Sequence, residues 1–217
     1  MVFYKIISTF SLYHFLQFLI YYIVTMLAFK ILRQTLNKEK SIMIVLGSGG
    51  HTGEILIMLS KLKLENFSKI FFIISHNDVR SEGKAKEVLN LSESEMLKNQ
   101  KITFHRIYRS RNVGQSFFSS IFTTIYSMLN SLILILKTRP SLIVTNGPGV
   151  ALPLVYIGYI LKKLLILTQF KILFIESYCR TKSLSLSGRL IEPVADRFIV
   201  LWKELSSSKR EYLGKIL

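Results

Sequence analysis

Three short stretches combine residue types suited to gripping a phosphate and moving a proton beside it. The first, Gly47-Ser48-Gly49-Gly50-His51-Thr52-Gly53, follows the apolar run Ile42 to Leu46 and leads into an amphipathic stretch. A strand that ends in glycines and feeds a helix presents backbone N–H groups and the positive end of a helix dipole to whatever lies above it, which suits an anion. Gly50 and Gly53 permit close backbone approach, His51 stands at the mouth, and Thr52 is a helix N-cap candidate. The second stretch, Asn146-Gly147-Pro148-Gly149, ends the run Leu142 to Thr145. In an open α/β sheet both loops lie along the carboxyl edge. There they could share the two phosphates of a diphosphate, with Arg109 and Arg111 as countercharges. The third, Phe174-Ile175-Glu176-Ser177, brings a carboxylate to the same edge, where Glu176 or His51 could orient a hydroxyl or take its proton.

The expected diphosphate set is therefore Gly47, Ser48, Gly49, Gly50, Thr52, Arg109, Arg111, Asn146, Gly147 and Gly149, with His51 and Glu176 as the proton-transfer candidates. A solvated loop is the alternative for the two arginines. For His51 it is a helix-terminal histidine that bonds only its own loop. The first loop fails as a dinucleotide fingerprint, because Thr52 stands where G-x-G-x-x-G needs glycine, and no Gly-Lys-Ser/Thr makes it a P-loop. Asp78, after the second apolar run, keeps a nicotinamide enzyme open as a minor reading.

The elements that must position these residues follow from periodicity. Short apolar runs alternate with longer amphipathic ones, the pattern of parallel strands joined by helical crossovers. Strands are expected at Ile42 to Leu46, Ile70 to Ser75, Ile102 to Ile107, Leu142 to Thr145, Ile172 to Ile175 and Phe198 to Leu201. Helices should begin near Thr52, Ser116, Val150 and Leu184, with a short one around Lys84 to Leu89 inside a polar surface excursion from His76 to Gln100. The fold class is thus α/β, one Rossmann-like domain with a mostly parallel sheet. What remains after the first 40 residues suffices for one core and is too short for two such domains.

Ser116 to Leu136 carries no charge, yet its residues divide. The serines, threonines and Asn130 gather within about 140° of a helical wheel, and Phe117, Phe118, Ile121, Phe122, Ile125, Met128, Leu129 and Leu132 take the other side. Packing of the apolar side on the sheet is the expectation, with burial in a lipid interface as the alternative.

Ile6 to Phe29 also lacks formal charge and exceeds the roughly 20 residues needed to cross a hydrocarbon core. One transmembrane helix is expected there rather than a cleaved signal, whose apolar region would be shorter. Lys30, Arg33, Lys38 and Lys40 follow it, so the positive-inside bias places the rest of the chain in the cytosol. Residues 1–40 would form anchor and linker, 41–204 the domain, and 205–217 a C-terminal tail. A net charge of +16 fits nucleic acid, anionic headgroups or a phosphate-bearing substrate, but no RNA-binding signature is present, and nucleic acid is not an expected partner. Cys179 is the single cysteine, so no intrachain disulfide can form, and the four histidines lack metal-ligand spacing, so no metal is expected.

Six ordered strings, Gly47 to Glu54, Arg109 to Ser116, Asn146 to Gly149, Ile175-Glu176-Ser177, Leu184 to Arg189 and Ala195 to Phe198, closely resemble the asparagine-linked glycosylation protein 14 family. This is the membrane-anchored subunit of the eukaryotic two-part UDP-N-acetylglucosamine transferase of dolichol-linked oligosaccharide assembly. The resemblance implies the N-terminal, acceptor-binding half of an inverting GT-B glycosyltransferase in the endoplasmic reticulum membrane, with no bound cofactor. Its acceptor would be dolichol-diphosphate-GlcNAc, and it would be inactive without a soluble donor-binding subunit of the asparagine-linked glycosylation protein 13 type, which brings UDP-GlcNAc. Leu213, Ile216 and Leu217 would be apolar anchors for that partner, the alternative being a frayed terminus.

A distant relative is the bacterial transferase that glycosylates a lipid-linked muramoyl peptide. Its Gly-Gly-Thr-Gly-Gly-His loop corresponds to Leu46 through His51, and the glutamate of its His-Glu-Gln-Asn segment to Glu176. The first glycine is not kept, Tyr178 replaces the asparagine, and Val150 follows Gly149 where the relative has Gly-Gly-Tyr. A scaffold that recruits a catalytic partner without taking part in chemistry is the competing reading.

Overall fold

The computed structural model describes residues 2–36, 40–89, 101–109 and 117–214. The chain forms two compact units, residues 1–38 and 39–217. The first is a single helix, α1 (Val2–Leu36), whose segment Leu12–Phe29 is, among the described residues, the one stretch long and apolar enough to cross a membrane. Polar groups along it bond within the helix: Thr25 Oγ1 donates to the Tyr21 carbonyl at 2.9 Å, and Gln17 Nε2 donates to the Tyr13 hydroxyl at 3.0 Å. Such internal satisfaction is what an apolar surrounding requires.

The second unit is a seven-stranded sheet, all parallel, flanked by helices. The elements are β1 (Ser41–Val45), α2 (Gly50–Ser60), β2 (Lys69–Ser75), α3 (Ser81–Val88), β3 (Lys101–Ile107), α4 (Phe117–Thr138), β4 (Leu142–Thr145), α5 (Ala151–Lys163), β5 (Lys171–Ile175), α6 (Leu186–Ile191), β6 (Arg197–Val200) and β7 (Glu211–Tyr212). Their spatial order is β3-β2-β1-β4-β5-β6-β7. Six strands fall at the expected positions. The central strands are apolar along most of their length because they are covered on both faces, whereas the edge strand β3 carries Thr103, His105 and Arg106. Ile42 and Ile44 pack with Ile55, Leu56 and Leu59 of α2, whereas Met43 and Val45 join Leu134 and Ile135 of α4, Leu154 of α5 and Ile191 of α6. Gly158 lets α5 lie directly on Phe170, since a Cβ there would overlap the ring.

The connections run outward in opposite directions from the β1/β4 pair. This is the switch point of a doubly wound sheet, where a crevice opens beyond the strand carboxyl ends.

Three expectations need correction. Thr52 is not the N-cap of α2: the helix starts at Gly50 with Gly49 as its cap at φ +66°, a left-handed conformation that favours glycine. The frayed-terminus alternative for the C-terminal segment does not hold for the described residues up to Gly214. Leu205 is buried, and β7 adds to the sheet edge beside β6, where Arg197 pairs with Glu211. A two-residue strand is too short to show periodicity.

The third concerns α4, which is turned the other way round from the expected orientation. Ser127 and Ser131 are fully buried, with Leu134 and Ile135 continuing the inward stripe, and Ser127 Oγ donates to the Tyr108 carbonyl at 2.9 Å. Ile125, Tyr126, Leu129 and Ile133 are more than half exposed. Small hydroxyl side chains let the helix approach the domain closely, and the Tyr108 carbonyl gives one of them a partner, so the polar stripe goes inward.

Candidate active site

The two glycine loops meet at the switch point. Gly47, Ser48 and His51 from the first line a cavity of about 240 Å³ together with Gly147, Pro148 and Gly149 from the second, and with Ser75 and Arg109. Gly47 is where they touch: a Cβ on it would lie 2.7 Å from the His51 Cβ and 2.8 Å from the Pro148 Cβ, so any side chain would push the loops apart. Gly147 is held at φ +92°, and its own Cβ would press on Phe174 and Ser187 at 3.2 Å.

Beneath the cavity the first loop is fastened from below. Thr52 Oγ1 donates to the Gly47 carbonyl, and Ser81 Oγ lies 3.0 Å from the same oxygen. A trans peptide holds its C=O and N–H antiparallel, so the Ser48 N–H points away from that buried pair. Gly49, Gly50 and the N-terminus of α2 lie beyond, and neither α2 nor α5 has a side-chain N-cap bond. Two helix N-termini therefore converge on one edge, which favours negative charge, although in α5 the Ala151 N–H is bonded to the Pro148 carbonyl at 2.8 Å and Pro153 carries no N–H.

Arg109 supplies a full cation. From just past β3 it reaches back over the edge, with Nε donating to Ser75 Oγ at 3.0 Å and Nη2 donating to Ser48 Oγ at 3.1 Å. Arg109 is thus bonded to both Ser75 and Ser48 at this edge. Arg111 lies outside the described residues, as do Ile216 and Leu217. Leu213 is described and exposed.

Several expected ligands serve the walls instead. Asn146 is fully buried, and its Nδ2 donates to the His51 carbonyl at 2.8 Å and to Glu54 Oε2 at 3.3 Å. Glu54 Oε1 in turn accepts from Ser177 Oγ at 2.9 Å, so one carboxylate ties α2 to the ends of β4 and β5. Thr52 is buried and also meets Ser81 Oγ at 2.8 Å.

Glu176 is not among the residues lining the cavity. It is 0% exposed and accepts from the Ser177 and Ser185 N–H groups at 3.0 and 2.9 Å and from Ser185 Oγ at 3.2 Å. Ser185 Oγ also accepts from Gly188 N at 2.9 Å as the N-cap of α6. A Cβ on Gly188 would strike the Glu176 carboxylate. His51 does line the cavity, half-buried, and its Nδ1 is shielded from solvent with no hydrogen-bond partner among the protein atoms. Asp78 has both oxygens engaged at the start of α3, Oδ1 by the N–H groups of Arg80 and Ser81 and Oδ2 by Ser81 Oγ at 2.6 Å.

Sequence reasoning passed over Ser75 and Glu54 as site residues. The signal for Ser75 was a polar residue closing an otherwise apolar strand. Glu54 was the last letter of the first motif string.

A fold of this kind, a parallel sheet with a crevice at its switch point, is also that of one unit of a GT-B glycosyltransferase. The chain superposes on the crystal structure of Acinetobacter baumannii MurG with a TM-score of 0.53 at 14% identity, covering 81% of this chain and 45% of that one. A family model described as "Oligosaccharide biosynthesis protein Alg14 like" matches residues 42–216. Proteins named "UDP-N-acetylglucosamine transferase subunit ALG14" share 43% identity in Candida albicans, over 85% of this chain and 82% of the relative. In Mus musculus the figure is 39%, and in Homo sapiens 37%, each over 84% of this chain and 86% of the relative. The chain belongs to the Alg14 family.

Proposed function

We propose that this chain is the membrane-anchoring, acceptor-binding subunit of a two-subunit N-acetylglucosaminyltransferase. It holds the diphosphate of GlcNAc-diphosphate-dolichol while a soluble partner presents UDP-GlcNAc, and the pair adds the second GlcNAc. The observation that carries this reading is the single cavity shared by the Gly47 and Gly147 loops, with Arg109 bonded across it. Open backbone donors, two helix N-termini and one guanidinium suit a diphosphate far better than a neutral ligand.

Family membership supports the transferase assignment. A partner is supported by the relatives' naming as a transferase subunit. The C-terminal end of this chain, with Leu213 exposed beside β7, is the docking region proposed for it, and Ile216 and Leu217 extend the same segment. The apolar helix α1, followed by basic residues, supports a single-pass anchor in the endoplasmic reticulum membrane with the domain on the cytosolic side.

In the reaction the acceptor's 4-hydroxyl attacks C1 of the donor GlcNAc, the C1–O bond to UDP breaks, and configuration inverts. The hydroxyl proton passes to a base as the new glycosidic bond forms. His51 is the base we assign, because it lines the cavity and Glu176 does not. Glu176 and Asn146 act as positioning residues, one holding the loop after β5 and the other joining the two sides of the crevice.

The test is transfer to a GlcNAc-diphosphate lipid, read as chitobiosyl product, with and without the soluble donor-binding subunit. Activity only with both chains, and a loss of about 100-fold or more in kcat for His51→Ala, are expected. Normal turnover by His51→Ala and Glu176→Ala alike would favour a scaffold without chemistry.

A further inference from the structure

A second cavity, of about 250 Å³, lies on the α4 side of the first and shares Ser75 and Arg109 with it. His76, Asn77, Tyr108, Thr123 and Tyr126 make up the remaining wall. Three of these form a continuous aromatic surface. The His76 ring stacks on Tyr108 at 4.6 Å and 11°, and Tyr108 meets Tyr126 edge-on at 5.2 Å and 62°. Aromatic faces of this kind favour hydrocarbon and repel anions. The two cavities thus differ in chemistry across one shared guanidinium, with anion-binding loops on one side and aromatic rings on the other.

Tyr126 belongs to two surfaces at once. It lines the second cavity, and at 51% exposure it also stands in the apolar stripe of α4 with Ile125, Leu129 and Ile133. A contiguous apolar stripe is retained at a surface where something apolar covers it.

Resting on the functional reading above, we propose that the second cavity seats the first isoprenoid units of the lipid diphosphate and that the exposed face of α4 carries the chain onward. The polarity gradient fixes direction: phosphates lie between the glycine loops, the first isoprenoid unit crosses under Arg109, and the hydrocarbon follows Tyr108 and Tyr126 out to Leu129 and Ile133. A sugar in the second cavity would satisfy its aromatic walls but would leave the α4 stripe uncovered. A chain of apolar units accounts for both.

The experiment compares two acceptors with the same GlcNAc-diphosphate head, one on a long polyisoprenoid and one on a short alkyl ester. They are assayed with the full chain and its donor-binding partner in detergent, so that no bilayer contributes. Tyr126→Ala should shrink the KM advantage of the long-chain acceptor over the short one by about 10-fold, the loss expected when one aromatic contact with hydrocarbon is removed. Tyr126→Phe, which keeps the ring, should retain the advantage, and Leu129→Ser on the same stripe should reduce it without touching either cavity.

Equal KM rises for both acceptors in Tyr126→Ala, or no rise in either, would overturn the proposal. So would an unchanged ratio accompanied by weaker binding to vesicles that contain no acceptor, which would assign the stripe to the bilayer itself. Failure of the unsubstituted pair to use either acceptor would instead overturn the diphosphate reading on which the proposal stands.

Discussion

The Arg109 guanidinium donates to Ser48 Oγ at 3.1 Å across the mouth of the crevice, joining residues 61 positions apart in the chain. This contact brings a fixed positive charge from the end of β3 to the loop that follows β1, with β2 between the two strands. Ser75, which closes β2, accepts the second bond from the same side chain and holds the fork in place.

Replacing Arg109 tests the electrostatics of the site. Arg109→Ala should lower kcat/KM for the lipid diphosphate by about 100-fold, since a charge-assisted contact to phosphate is lost. Arg109→Lys should recover part of that, because the charge returns without the two-pronged geometry. Steady-state transfer in the two-subunit enzyme, with acceptor concentration varied, gives both values.

Two neighbouring glycines should behave differently. Gly47→Ala places a methyl group against both His51 and Pro148, and overpacking of about 1–3 kcal/mol is expected with near-complete loss of transfer. Gly50→Ala meets nothing within 4 Å and sits at the first turn of α2, where alanine is the better helix former, so the thermal midpoint should hold or rise. Melting curves of the two variants in detergent make the comparison.

For Glu176 the prediction concerns the kind of damage. Glu176→Gln places an amide donor against the Ser177 and Ser185 N–H groups and should cost about 2–3 kcal/mol of stability. Activity of the surviving folded enzyme should fall with an unshifted pH profile. A shifted or flattened acid limb of kcat against pH, where a base is lost to protonation, would instead make Glu176 the base.

His105 gives the molecule an acid-side weakness. Burial, with Lys137 adding to it, holds its imidazole below the ordinary value of 6.5. The unfolded chain therefore takes up the proton first, so this contribution to stability is complete above about pH 6.5 and declines as pH falls from there toward the lowered value. The thermal midpoint should drop between about pH 7.5 and 5.5, and His105→Asn should flatten that slope, as measured by melting at a series of pH values.

The amino-acid sequence by itself determined the local structure. Apolar runs too short for helices became the six principal strands, and glycines after Leu46 and Thr145 ended two of them in turns. Those outcomes depend on neighbours a few residues away, where side-chain periodicity and backbone freedom act directly. The shared carboxyl edge was legible too, because parallel strands joined by crossovers must all end on the same side.

What the chain could not declare on its own was which groups would be consumed in building the site. Asn146, Thr52 and Glu176 are as polar as Ser48 or His51, and only packing decided that the first three bond inward while the others line the cavity. The orientation of α4 was open for a similar reason. A two-faced helix announces two faces, but which one meets the protein depends on what its neighbours offer, and here the Tyr108 carbonyl beside Ser127 helps draw the hydroxyl stripe inward. Burial energies and long-range partners exist only once the sheet has formed, so these choices belong to the tertiary structure.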